Sequence, residues 1–164
     1  MPRTPTGTSL AGIVLHCANV QVGYFGPTFG REFPAPDHPC LIPFAAYATD
    51  PQVDWVLPAD VSADTLIDFH RQVDGFADAA FDELALGAPG RVPWWPGDRA
   101  ATTLHRVAVH VHGDLARHAG HADILREQID GSAGLSPENS NLPGDVDWPS
   151  YVERLREIAE CFPL

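Results

Sequence analysis

Lysine is absent from the 164 residues, methionine occurs only at position 1, and the three cysteines, Cys17, Cys40 and Cys161, stand far apart with no C-x-x-C pair. Neither a disulfide framework nor a thiolate zinc knuckle is therefore expected, and a reducing cytoplasm is the compartment that fits. No apolar run comes near the roughly 20 residues needed to cross a bilayer. The N-terminus also lacks a charged segment followed by an apolar one, so a soluble, unexported protein that does not act at membranes is expected. Positive charge is scarce as well: ten arginines face 22 acidic residues, for a formal net charge of −12. Such a surface repels phosphate backbones, which excludes nucleic acid as an expected partner. An all-arginine basic set with abundant alanine, glycine, proline and aspartate is the composition of a GC-rich genome and says nothing about chemistry.

What is present is enough apolar sequence, 45% of residues, for one domain spanning 1–164 with a substantial core. Ser9 or Thr8 can cap a helix from Leu10 to about Tyr24, with Leu10, Ile13, Val14, Cys17 and Val20 on one apolar face and His16 inside it. Gly26 to Ala59 is broken by prolines and glycines yet carries Phe29, Phe33, Phe44, Tyr47 and Trp55, and it reads as a long Pro-rich ordered loop crossing the helices. Ser62 caps a second helix, with an apolar stripe from Leu66 to Leu84, that should end near Leu86. RVPWWPGDR, Arg91 to Arg99, is interrupted by Pro93 and Pro96 and cannot be regular helix, so Trp94 and Trp95 need cover from the core or from a ligand. Thr102 or Thr103 starts the longest helix, which should stop at Gly131. A polar linker follows, and Trp148-Pro149 opens a last helix with Tyr151, Val152, Leu155, Ile158 and Ala159 on one side. No strand pattern of comparable strength is present, so the class is all-α.

The longest helix carries the chemistry. In HVHGDLARHAGHADIL, with His110 set at zero, Asp114 falls near 40°, His118 near 80° and His121 near 20°, an arc of about 80° at 100° per residue. Leu104, Val107, Val111 and Leu125 point between roughly 60° and 120° on the same wheel, so the polar stripe overlaps the buried face. Buried imidazoles and a carboxylate need partners, and a divalent metal is one that Asp114 and His118, at i and i+4, can both reach. A third ligand must come from another helix, and His16 is the natural candidate. Two histidines and one carboxylate leave a coordination position open, which suits catalysis.

His38, His70, His105 and His112 read as ordinary hydrogen-bonded histidines. His110 and His121 share the stripe and are candidates to orient the ligands, touch substrate or serve as general base. Cys17 lies about 100° around the helix from His16 and reads as core. Arg117, like Arg91 and Arg99, could hold a substrate carboxylate, although solvated surface arginine is the commoner outcome.

The stretches TPTGTSLAGIVLH, YFGPTFGREFP, APGRVPWWP and LARHAGHADILREQIDG, in this order and spacing, are similar to the DinB-like superfamily. They most resemble its actinobacterial branch of mycothiol-dependent thiol S-transferases, over about residues 5–160. The resemblance implies a four-helix bundle with a metal held by a histidine on an early helix and an H/E-x-x-x-H pair on a later one. Carried over, those positions are His16, Asp114 and His118. Asp114 stands where the family usually has Glu or His, so it either reaches the ion through closer helix packing or acts through water, with His121 or His110 replacing it. The resemblance further implies a divalent ion, zinc foremost with nickel or manganese as alternatives, and mycothiol or a similar thiol as cosubstrate attacking a small electrophile. Trp94, Trp95 and Arg117 are then the expected cosubstrate contacts, and His121 or His110 the expected base. The family's bundle normally begins with a helix before TPTGTSL that has no counterpart here, so the last helix or a second subunit would have to cover the exposed face, and a homodimer is expected. The rival readings are a non-catalytic metal-binding or ligand-binding stress protein and a purely structural dimeric bundle. Thiol-assisted isomerisation of an unsaturated dicarboxylate is a neighbouring reaction.

Overall fold

The Ser9 hydroxyl accepts the Gly12 amide at 3.1 Å and starts α1, Leu10–Phe25, in a computed structural model that describes residues 4–136, 138–140 and 142–162. Helix α1 carries no acidic or basic residue besides His16, and it is buried on nearly every side. Leu15 and Ala18 are fully covered, while Val14 and Val20 are only half-buried. The single apolar stripe expected for this helix therefore becomes a central position: α1 packs against α2 on one side and α3 on the other.

Helix α2, Ala63–Glu83, is capped by Ser62 and buries Leu66, Phe69, Val73, Phe76, Ala77 and Ala80, the i, i+3, i+4 pattern its sequence advertises. It stops at Leu84, slightly before the expected Leu86. Helix α3, Leu104–Asp130, is capped by Thr103 and ends at Gly131 in the left-handed conformation. Only five of its side chains are buried, and His118 is one of them.

Between α1 and α2 the chain makes three 3₁₀ turns, at Pro27–Phe29, Phe44–Ala48 and Val53–Trp55. Asn19 ties this segment to α1. Its buried amide donates to the Leu15 and Cys40 carbonyls and its oxygen accepts the Ile42 amide at 2.8 Å. Between α2 and α3 lies a small antiparallel pair that the sequence reading missed, β1 Pro89–Arg91 and β2 Ala101–Thr103, with Gly90 opposite Thr102. Three-residue strands show no alternation to read, and their pairing follows from the Trp94-Trp95 turn they flank.

Helix α4, Trp148–Glu160, is capped by Asp147 and exposed along its whole length. Among the described residues the core is thus built by three helices, and the fourth stands apart from it. No helix among them is long and apolar enough to cross a membrane.

Candidate metal centre

Two helices and one 3₁₀ turn meet at His16. From α1 its Nε2 lies 3.8 Å from Asp114 Oδ2 on α3, and His118 Nε2, one turn further along α3, lies 3.7 Å from Asp114 Oδ1. One ligand atom from each of His16, Asp114 and His118 falls within 4.8 Å of the others. These separations are too long for hydrogen bonds. They are close to the spacing of about 3.4 Å between two donors that share one ion at about 2.1 Å in tetrahedral geometry.

The fit to a cation rests on His118. Its side chain is nine-tenths covered, and its Nε2 faces Asp114 Oδ1 across 3.7 Å without a hydrogen bond; Nδ1, also buried and without a partner, is the ring's other nitrogen. Burial holds its pKa below the ordinary histidine value, with His16, His121 and Arg117 adding to the shift and Asp114 opposing it. The neutral ring that results is the form that ligates a metal.

His16 is oriented from behind. Its Nδ1 meets Asp54 Oδ2 at 2.7 Å, and the same oxygen accepts the Tyr47 hydroxyl at 3.0 Å. Asp54 is only 3% exposed. Burial, the Asp54 charge and the hydrogen bond to it all push the Tyr47 pKa up, so Tyr47 remains a donor. With Nδ1–H given to Asp54, the His16 tautomer that presents a free Nε2 toward Asp114 is favoured. Trp55 stacks on His16 at 4.3 Å between centroids and meets the His118 ring edge-on at 5.1 Å. The turn reaches this close because residue 12 is glycine: a Cβ there would stand 2.5 Å from the Trp55 carbonyl oxygen.

A second constellation lies further along α1. The Tyr24 hydroxyl is met by Trp95 Nε1 at 3.2 Å, Trp94 Nε1 at 3.4 Å and His110 Nε2 at 2.9 Å. Gly23 gives Trp94 its room, since a Cβ would touch that indole at 3.2 Å. Both constellations open on one cavity of about 660 Å³, with His16, Asp54 and Asp114 contributing to its wall beside Tyr24, Trp94 and His110. The rest of the wall is largely apolar and contains no arginine.

The structure therefore brings together His16, Asp114 and His118, and puts His110 with Trp94 and Trp95 around Tyr24. His121 is exposed, its ring 5.5 Å from that of His118. Arg117 is exposed and does not line the cavity. Cys17 is buried against Ile13 and Leu125, and burial, with Asp114 and Asp54, pushes its pKa up to about 11. Sequence reasoning missed Asp54, Tyr47 and Tyr24. Asp54 sits in an aperiodic segment, and its one signal was an acid beside a tryptophan in a stretch otherwise rich in groups to bury.

A family model described as Mycothiol-S-transferase matches residues 1–131. No curated protein and no solved structure gives a significant match.

Proposed function

Since the chain belongs to the mycothiol-S-transferase family, we propose that it transfers the sulfur of mycothiol, or a similar low-molecular-weight thiol, to a small electrophile in the cytoplasm, using a divalent ion held by His16, Asp114 and His118. The observation that carries this reading is the convergence of three ligand atoms from two helices within 4.8 Å, two of their residues, His16 and Asp114, lining the cavity. A divalent cation there, zinc foremost and nickel or manganese by the same donor chemistry, would supply the charge that lets a bound thiol lose its proton near neutral pH.

The chain's own residues do the rest. Asp54 and Tyr47 hold the His16 ring, and Trp55 closes off one side of it. The apolar wall excludes water from the reacting pair. His121, exposed beside His118, is suited to carry the thiol proton to solvent, and His110 serves the far end of the cavity. Trp94 gives the cosubstrate an aromatic face, Trp95 backs it through Tyr24, and Arg117 is available to any part of the cosubstrate that extends outside.

The same reading includes a homodimer. Trp148, Tyr151, Val152, Leu155 and Ile158 form an apolar face on α4 that is exposed in the single chain, and a second copy would cover it and complete four-helix packing.

The test is turnover. Purified protein with mycothiol and monochlorobimane should consume thiol, lose the activity on chelation and regain it on adding back metal. Full metal loading with no turnover across a broad electrophile panel would overturn the transferase and leave a metal-binding stress protein.

A further inference from the structure

The Tyr24 hydroxyl has three partners, and their chemistry fixes its hydrogen. An indole N–H can only donate, so the Tyr24 oxygen accepts from both Trp94 and Trp95, and its own hydrogen is left for His110 Nε2. A phenol whose lone pairs are both occupied, and whose proton faces an imidazole, is more elaborate than wall packing requires. Tyr24 is itself 8% exposed, whereas His110 is exposed. The pair thus links the cavity, which both line, to solvent.

The cavity also limits what enters it. No arginine stands on its wall to pair with an anionic electrophile such as a dicarboxylate. Leu41, Ile42, Pro43 and Phe44 suit an uncharged apolar body, and the cluster around the Tyr24 hydroxyl suits one oxygen on it.

We propose that Tyr24 is the proton donor to an uncharged electrophile whose oxygen becomes negative when sulfur attacks, an epoxide being the substrate class, and that His110 is the relay that reloads it. This rests on the thiol-transfer reading. The thiol first loses its proton to solvent. Its sulfur then bonds to an epoxide carbon, and the C–O bond breaks with the electron pair left on oxygen. The Tyr24 hydroxyl turns from His110 and gives its proton to that oxygen. The tyrosinate left behind keeps both indole N–H bonds, and His110 Nε2, until then the acceptor, takes up from solvent the proton that the thiol released and passes it to the Tyr24 oxygen. The sum is thiol plus epoxide giving a β-hydroxy thioether, with no net change in protons or electrons.

The experiment compares styrene oxide with monochlorobimane, whose chloride leaves without a proton. In Tyr24→Phe the ratio of kcat/KM for styrene oxide to that for monochlorobimane should fall about a hundredfold or more. His110→Ala should lower the same ratio and recover with added imidazole, and because His110 is exposed this variant keeps the test available if Tyr24→Phe does not fold. Without turnover, quenching of tryptophan fluorescence should show the preference for phenylethanol over ethylbenzene falling about fivefold in Tyr24→Phe, the loss of one hydrogen bond. An unchanged ratio in the variants overturns the proposal, as does a wild type that turns over monochlorobimane and not styrene oxide. A wild type that turns over neither contradicts thiol transfer itself.

Discussion

One nitrogen of His16 is committed, Nδ1 to Asp54 at 2.7 Å, and the other, Nε2, is left facing Asp114 at 3.8 Å. Asp54→Ala removes the partner that fixes the ring and strands the Tyr47 hydroxyl. Metal affinity should drop about 10- to 100-fold, read by competition with a chromophoric chelator, with Asp54→Asn intermediate. Equal affinity in all three proteins would mean the carboxylate does not orient the ligand. His118 gives a pH signature in the metal-free protein. The unfolded chain takes up its proton near pH 6.5, while the buried ring takes it up at lower pH. Stability from this group is therefore complete above pH 6.5 and lost as pH falls toward the lower folded value. The melting temperature in chelator should decline over that interval, and His118→Gln should flatten the decline. Thiol reactivity follows burial in the same way: iodoacetamide at pH 8 should label exposed Cys161 in the native protein and reach Cys17 and Cys40 only after denaturation.

At the scale of elements, what the sequence made legible was what is periodic or capped. Ser9, Ser62, Thr103 and Gly131 mark helix boundaries because side-chain caps and a left-handed stop are local chemistry. Asp114 and His118 were legible as one stripe for the same reason. Asp54 and Tyr24 were not, because their roles depend on contacts 38 and 86 residues away in sequence, to His16 and His110, that no local pattern encodes. Gly12 belongs here too, as a helical residue whose missing side chain lets the Val53–Trp55 turn approach. Gly12→Ala should cost about 1–3 kcal/mol in chemical denaturation through forced displacement of that turn, and should weaken metal binding with it. Wild-type stability and affinity in this variant would show that the turn yields freely.

For the molecule as a whole, the family match ends at Gly131, the residue that ends α3, and the core is likewise complete without α4. The mostly helical character was readable from period, and the short β1–β2 pair was not. The position of α4 was not, because an amphipathic face announces that it needs cover without naming what covers it. The proposed homodimer makes α4 the covering element. Light scattering after size exclusion should then give a dimer for the full chain and a monomer for a chain ending at Gly131, and a monomer in both cases would remove that role. A net charge of −12 favours attraction of a divalent cation over any phosphate partner. The measurement that bears most directly on the metal centre is elemental analysis of the purified wild type beside His118→Ala. One zinc, nickel or manganese ion per wild-type chain and almost none in the variant is the predicted result, whereas equal metal content in the two, or none in the wild type, would contradict the account.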